Sequence, residues 1–301
     1  MSQTATDKPT TEALNDCAIG LDSRKPAQIL GALLDGQTAA AAAVSGAIDA
    51  IARAADVAAK AVAGGNTLAY VGAGSSGLMA MADALELPGT FGIPAEQIKV
   101  VLAGGNSSLS DLIGAHDDDE KGAESDIAKA NFSSGDCAIC VSASGTTPYT
   151  VKAAQILQQR GITTIVLANN RGSLLLNGAD IPVLLATPPE LISGSTRMGA
   201  GTAQKIALNM FSTLMAVHLG HVHDGMMINL TADNEKLRRR ACGMVAAIAG
   251  CSAEQAADYL DRAGGSVKVA VLLAGGIADS SAAEAMLATS GGNLRGALAA
   301  I

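Results

Sequence analysis

Two short stretches of the sequence place serine and threonine hydroxyls directly after a run of apolar residues. "VGAGSSG" covers Val71–Gly77, and "VSASGTTP" covers Val141–Pro148. Each apolar run is typical of a buried strand, and the residues that follow are typical of the start of a helix. Hydroxyls and free backbone N–H groups at a helix start bind phosphate without lysine. The alternative is that these residues only cap their helices.

The sequence lacks one feature of a dinucleotide-binding site, and this limits the kinds of phosphate ligand that it could bind. No acidic residue follows the second predicted strand at the distance at which a dinucleotide site holds the ribose. A sugar phosphate is therefore favoured over NAD.

A third polar cluster, "LISGSTRMGAGTAQK", covers Leu191–Lys205. Ser195 and Thr196 are suited to cap the helix that this stretch begins. Arg197 and Lys205 would bring positive charge towards a phosphate. The cluster is therefore a further candidate part of an anion site.

Glu86 is a single acidic side chain among apolar neighbours, ten residues after the first serine-rich turn. Removal of such a carboxyl group from water would disfavour its charged form, so that it could hold a proton for a leaving oxygen atom. Glu86 is therefore a candidate general acid. The alternative is an exposed glutamate at a helix end, which is where most glutamates lie.

The elements that must position these residues alternate along the chain. Short apolar strands are predicted in "TLAYVGAG", "IKVVLAGG", "CAICVSASG", "ITTIVLANN" and "DIPVLLAT", with helical patterns between several of them and two or more alanine-rich helices over residues 25–63. This alternation predicts an α/β fold with a doubly wound parallel sheet of five strands flanked by helices, and ligands at the carboxyl ends of the strands. After about Thr231 only short amphipathic helices follow, which predicts a small helical C-terminal domain with a boundary near residue 235.

Composition excludes several classes of protein. The chain has 301 residues, 49% of them hydrophobic and 16% charged, with a net charge of −8. We expect neither a nucleic-acid partner nor membrane association, because the sequence has no extended basic stripe and no unbroken apolar run of 18 residues. No secretory signal pattern is present at the N-terminus, so we expect a soluble cytoplasmic protein.

Cysteine and histidine residues offer two weaker candidates for chemistry. Cys137 and Cys140 have the spacing of a redox or zinc pair, but they lie in a predicted strand, so buried structural thiols are the better interpretation. His218, His221 and His223 form a possible metal cluster. We favour instead the interpretation that these histidines lie at a helix end near the dimer or active-site surface.

Five motifs, in this order and at these separations, resemble the N-acetylmuramic acid 6-phosphate etherase family: "GAGSSG", "ADALELPGTFG", "ASGTTPY", "SGSTRMGAGTAQKIALNM" and "NEKL". That family belongs to the sugar isomerase (SIS) superfamily and is related to the glucokinase regulatory protein. The resemblance implies an N-terminal tail over residues 1–24, an SIS phosphosugar-binding domain over 25–235 and a small helical domain, similar to a ubiquitin-associated domain, over 236–301. It also implies a homodimer that needs no metal or other cofactor.

The resemblance implies a lyase of cell-wall recycling. Its members cleave the D-lactyl ether at C3 of N-acetylmuramic acid 6-phosphate to N-acetylglucosamine 6-phosphate and D-lactate. The sugar opens to its aldehyde, a base removes the C2 proton, lactate leaves and water adds. Two glutamates carry the proton transfers, and the first corresponds to Glu86. His116 occupies the place of the second, with Asp117 as the alternative.

The resemblance also implies the residues that hold the substrate, namely Gly74, Ser75, Ser76, Ser142, Ser144, Gly145, Thr147, Glu190, Ser193, Ser195, Thr196, Arg197, Lys205 and Asn234. Where the family usually has a basic residue, this chain has Leu78, Thr146 and Gly199. Fewer cations would weaken or redirect the binding of a substrate that carries both phosphate and carboxylate. A sensor that binds a phosphosugar without turnover, and a phosphosugar isomerase, are the alternatives.

Overall fold

The computed structural model of the protein describes residues 9–109, 111, 114–230, 232 and 234–301. The strands are β1 Leu68–Gly72, β2 Ile98–Leu102, β3 Cys137–Ser142, β4 Thr163–Ala168, β5 Ile181–Leu184, β6 Val222–His223 and β7 Met226–Met227. The helices are α1 Pro26–Ala43, α2 Ile48–Ala63, α3 Gly74–Phe91, α4 Glu120–Lys129, α5 Pro148–Gln159, α6 Leu174–Gly178, α7 Gly199–His218, α8 Glu235–Ala249, α9 Ala253–Arg262, α10 Val267–Ala274, α11 Ser280–Thr289 and α12 Leu294–Leu298. The chain divides into two compact units. The first contains residues 1–84 and 96–211, and the second contains residues 85–95 and 212–301.

Five strands of the first unit form one parallel sheet in the order β2-β1-β3-β4-β5. Leu68 of β1 lies between Ile98 of β2 and Cys137 of β3. Chain order reverses beside β1, so the loops after β1 and β3 leave the same edge of the sheet in opposite directions and open a crevice there. The predicted five-stranded parallel α/β sheet is confirmed.

Both faces of the sheet are covered by helices, because alternate residues of each strand point to opposite sides. Val71 and Cys140 pack with α5 residues such as Leu157 in one core. Tyr70 and Ile139 point the other way and are also fully buried, and on that face α2 packs across β1, β3 and β5. The strands are therefore almost continuously apolar, as the sequence showed.

An N-terminal strap, residues 9–23, precedes the first long helix. It consists of three single 3₁₀ turns, Thr10–Glu12, Asp16–Ala18 and Leu21–Ser23. The side chain of Asn15 donates a hydrogen bond to the carbonyl oxygen of Pro189 at 2.9 Å. Part of the stretch that the resemblance assigns to a tail is thus folded against the first unit.

Helix α1 is apolar and mostly uncovered. Ala40 is its only buried side chain among the described residues, and Leu30 and Leu34, one turn apart, are 66% and 67% exposed. A helix with this composition usually covers its apolar face. The part of the chain that the structure describes provides no such cover at these two leucines.

The second unit is mostly helical, as predicted. Val245, Leu260 and Leu272 belong to a core built by α8 to α12. Each of these helices begins at a residue whose side chain accepts a backbone N–H, namely Asn234, Ser252, Ser266, Asp279 and Asn293. The antiparallel pair β6 and β7 was not predicted. No helix in the described part of the chain combines the length and apolar character needed to cross a bilayer.

Candidate phosphosugar site

The first serine-rich turn joins β1 to α3. A Cβ atom at Gly72 would lie 2.9 Å from the Cα atom of Gly77. The end of β1 and the first turn of α3 can therefore approach this closely only because both positions are glycines. Gly74 has a φ of 52°, in the left-handed region. Ser75 and Ser76 follow in the first turn of α3, where backbone N–H groups lack partners within the helix.

The second serine-rich turn joins β3 to α5. Ser142 Oγ accepts the Gly145 N–H at 3.1 Å and lies 2.8 Å from Thr147 Oγ1. Gly145 has a φ of 68°, and a Cβ atom there would lie 2.2 Å from Ser173 Oγ. Ser76 Oγ accepts the backbone N–H of Ala143 at 3.2 Å. This bond joins the two turns and fixes their separation.

Both turns line one cavity of about 270 Å³ at the carboxyl edge of the sheet. This volume is of the order of a small-molecule site. Its lining residues are Glu12, Ala73, Gly74, Ser75, Ser76, Ala103, Ser108, Gly114, His116, Asp117, Ala143, Ser144, Thr147, Gly194 and Thr196. The two N-terminal helix turns supply hydroxyl and N–H donors to the same space, which is the arrangement that binds a phosphate.

The ionisable groups of the cavity are unusual for an anion site. Its described lining contains Glu12, His116 and Asp117, and neither lysine nor arginine. Burial raises the pKa of the Asp117 carboxyl, the charge of Asp118 raises it further, and His116 acts in the opposite direction. A phosphate in this cavity would therefore meet neutral donors among the described lining residues.

His116 and Asp117 lie at the end of a 3₁₀ turn, Gly114–His116. A Cβ atom at Gly104 would lie 2.5 Å from His116 Cδ2, so the imidazole packs on the bare backbone of Gly104. One oxygen of Asp117 lies 3.2 Å from the position that a Cβ of Gly74 would take. Both candidates for the second proton-transfer group thus reach the cavity, beside the first turn.

The structure brings together only some of the predicted substrate-binding residues. Gly74, Ser75, Ser76, Ser144, Thr147 and Thr196 line the cavity, whereas Ser142 and Gly145 build the second turn from beneath. Ser193, Ser195, Arg197 and Lys205 are not among the lining residues, and Arg197 and Lys205 are exposed. Their role in binding stays a prediction.

Glu190 caps a helix in the structure, and its predicted contact with substrate stays a prediction. Its two carboxylate oxygens accept the backbone N–H groups of Gly199 and Ala200 at 2.9 Å and 2.8 Å. The carboxylate is buried and caps the start of α7, where a negative charge stabilises the helix. Gly199 leaves room for it, since a Cβ there would lie 3.0 Å from Glu190 Oε2.

Glu86 and Asn234 belong to the second unit. Glu86 is exposed on α3 and is not among the residues that line the cavity. The described residues therefore leave its carboxyl group exposed to water, and its role as general acid stays a prediction. Asn234 caps α8 by accepting the N–H of Leu237 at 2.9 Å.

Glu12 is the one carboxylate of the cavity lining that the sequence analysis did not consider. It lies 62 residues before the first turn, in a stretch without periodicity or motif, so no local pattern could place it. Asn170 was also missed; its side-chain amide donates to the Ser144 carbonyl oxygen at 3.1 Å and supports the second turn.

The cysteines have the structural role that was expected. Cys137 and Cys140 are buried in β3, and burial raises the pKa of each thiol to about 12. Neither forms a disulfide. Of the histidine cluster, His218 ends α7 and His223 lies in β6, 3.6 Å from Asp224. Within the described ranges, no three His, Cys, Asp or Glu side chains converge as metal ligands.

We expect Ser144→Ala to weaken the binding of a 6-phosphosugar by about 1 to 3 kcal/mol, or roughly 5- to 160-fold, because a charge-assisted hydrogen bond to phosphate is lost. Ser144 Oγ lines the cavity and also accepts the Thr146 N–H at 3.1 Å. Calorimetric titration measures the effect, with Ser134→Ala, at an exposed site outside the cavity, as control. Equal affinity in both variants would show that the turn does not hold the phosphate.

Comparison with known proteins agrees with this geometry. One model of the SIS domain matches residues 37–169, and a second matches residues 120–219. An N-acetylmuramic acid 6-phosphate etherase of Deinococcus radiodurans is 41% identical over 96% of this chain and 95% of its own length. A namesake from Symbiobacterium thermophilum is 45% identical over 75% of each chain, and one from Geobacillus thermodenitrificans is 38% identical over 87% of this chain and 89% of its own.

Proposed function

Because the chain belongs to the N-acetylmuramic acid 6-phosphate etherase family, we propose that it cleaves the D-lactyl ether of N-acetylmuramic acid 6-phosphate. The products are N-acetylglucosamine 6-phosphate and D-lactate. The observation that carries this proposal is the cavity at the carboxyl edge of the sheet, where two serine-rich turns present neutral donors beside His116 and Asp117.

The proposed reaction assigns a task to each group. The phosphate lies on the N-terminal turns of α3 and α5, which places the opened sugar chain towards His116 and Asp117. One of these two takes the proton from C2, and the electron pair forms the C2–C3 double bond as the C3–O bond breaks. Glu86 gives its proton to the departing lactate oxygen. Water then adds its hydroxyl group to C3 and a proton to C2, which completes the amino sugar.

Incubation of the purified protein with N-acetylmuramic acid 6-phosphate, followed by an enzymatic assay for D-lactate, tests the proposal. We expect stoichiometric amounts of D-lactate and N-acetylglucosamine 6-phosphate. Stabilisation of the protein against heat by the phosphosugar, without release of lactate, would instead indicate a sensor.

We further propose that the protein is a cytoplasmic homodimer and that α1 forms part of the contact. The support is the uncovered apolar surface of Leu30 and Leu34, which a second copy of the chain would bury. Two copies of the same helix can cover each other across a twofold axis.

The double variant Leu30→Asp, Leu34→Asp is therefore expected to sediment as a monomer, because each new carboxylate would be buried without a partner. Analytical ultracentrifugation of the wild-type chain and the variant measures this. Leu174→Asp is the matched control, since Leu174 is also 66% exposed but lies on α6. A monomeric wild-type chain, or a variant that still dimerises, would contradict the proposed contact.

A further inference from the structure

The N-terminal strap is fastened to the second turn of the phosphosugar cavity. Asn170 connects the two: its Oδ1 accepts the Thr11 backbone N–H at 3.2 Å, and its Nδ2 donates to Thr11 Oγ1 at 2.9 Å and to the Ser144 carbonyl oxygen at 3.1 Å. Thr11 and Asn170 are both buried. The strap is thus a wall of the cavity, and its position depends on a buried polar network.

Glu12, the next residue of the strap, has its main chain fixed as well. Ser193 Oγ donates to the Glu12 carbonyl oxygen at 3.2 Å, and the Gly194 N–H donates to the Thr11 carbonyl oxygen at 3.0 Å. The Glu12 side chain lies over Gly194, where a Cβ atom would be 3.5 Å from Oε2. Gly194 has a φ of 77°, a conformation that favours glycine. The main chain of Glu12 is therefore fixed, and its exposed side chain lies in the lining of the cavity.

No donor in the described part of the chain meets the Glu12 carboxylate. Neither the hydrogen bonds nor the ion pairs of the described residues include Oε1 or Oε2, although the same side chain lines the cavity. An ionised carboxylate only accepts hydrogen bonds, and it has about four acceptor positions. The cavity thus combines two donor-rich turns for an anion with an acceptor-only group on the strap.

We propose that Glu12 is a specificity-determining residue that binds the hydroxyl or amide N–H donors of the hexosamine while the two turns bind its phosphate. This inference rests on the proposed function for the identity of the ligand. A neutral sugar carries such donors on most of its carbons, and charge-assisted hydrogen bonds to a carboxylate are stronger than neutral ones. A second anionic group of the ligand is repelled from the same position, so the lactyl carboxylate points away from the strap.

The test compares two probes on three proteins. Calorimetric titration gives the affinities of N-acetylglucosamine 6-phosphate and of inorganic phosphate for the wild-type chain, for Glu12→Gln and for Asp16→Asn. Asp16 is the matched control, because it is an exposed carboxylate of the same strap outside the cavity. We expect Glu12→Gln to weaken N-acetylglucosamine 6-phosphate about tenfold and to leave inorganic phosphate within about twofold, because the phosphate cradle is untouched. Asp16→Asn should change neither affinity.

Two results would overturn the inference. One is an unchanged affinity of Glu12→Gln for N-acetylglucosamine 6-phosphate. The other is an equal gain for both probes, which would mean that Glu12 acts only as a distant negative charge. Thermal unfolding of Glu12→Gln checks that the strap is still folded. Release of D-lactate by the wild-type chain is measured separately. A failure of the proposed etherase activity can therefore be distinguished from a failure of the role proposed for Glu12. A wild-type chain that binds no hexosamine phosphate contradicts both.

Discussion

Replacement of Glu86 by glutamine is expected to lower kcat for lactate release by about 10²- to 10⁴-fold, because the amide keeps the shape of the side chain but has no proton to give to the leaving oxygen. Affinity for N-acetylglucosamine 6-phosphate should stay within about threefold of the wild-type value, since Glu86 is not among the residues that line the cavity. The control is Glu96→Gln, another exposed glutamate of the chain. A Glu86→Gln variant that works at the wild-type rate would leave Glu86 as an ordinary surface residue.

The exposure of Glu86 suggests a second experiment on the same residue. If the proposed dimer shares its active sites, Glu86→Gln and a variant that lacks the base will complement each other when the two are refolded together. Random pairing would restore about a quarter of the wild-type activity, because half of the dimers are mixed and each mixed dimer has one complete site. Without complementation, acid and base act within one chain.

Loss of the base is expected to produce the other large effect. If His116 removes the C2 proton, His116→Gln should lower kcat/KM by about 10²- to 10⁴-fold. The variant His116→Glu should keep or raise the activity, because the family uses a carboxylate at this place. Low activity of His116→Glu together with full activity of Asp117→Asn would direct attention to the missing cations at Leu78, Thr146 and Gly199.

A pH profile separates the two candidates for the base. If Asp117 is the base, kcat/KM rises with pH through the pKa of its carboxyl, because only the ionised form accepts a proton. Burial raises that pKa, so the rise should fall above the range of an ordinary aspartate. His116→Gln should move the rise to higher pH, because His116 holds the pKa of Asp117 down. A rise that stays in place in His116→Gln would argue against Asp117.

The parts of the site that follow directly from a strand were predictable from the sequence. Residues 71–77 and 141–148 combine an apolar strand, glycines and hydroxyl residues within eight positions, so each stretch alone predicts a strand, a turn and a helix start. Which hydroxyl faces the ligand was less predictable. Ser142 and Ser144 are two residues apart, yet the hydroxyl of Ser142 accepts a backbone N–H within the turn, whereas Ser144 lines the cavity. This difference depends on hydrogen bonds that form only in the folded turn.

Contacts between distant parts of the chain were beyond such reasoning. Thr11 and Asn170 are separated by 159 positions, and no pattern in either stretch of sequence indicates that they are in contact. Glu190 and Gly199 lie only nine positions apart, but the loop between them has no regular pattern, so the cap that Glu190 forms on α7 was not predicted. Tertiary packing, which a single sequence does not display, decided both cases.

A phosphate held by hydroxyls and backbone N–H groups responds to ionic strength differently from one held by lysine or arginine. The chain carries a net charge of −8, and two of its acidic side chains, Glu12 and Asp117, line the cavity. An anionic substrate is therefore repelled as it approaches, and this repulsion is strongest in dilute buffer. Salt screens it within a Debye length of about 8 Å at physiological ionic strength, while the short hydrogen bonds of the two turns are hardly affected. We therefore expect moderate salt to accelerate the association of an anionic substrate with this protein, the reverse of what is expected at sites that attract their ligands with surface cations.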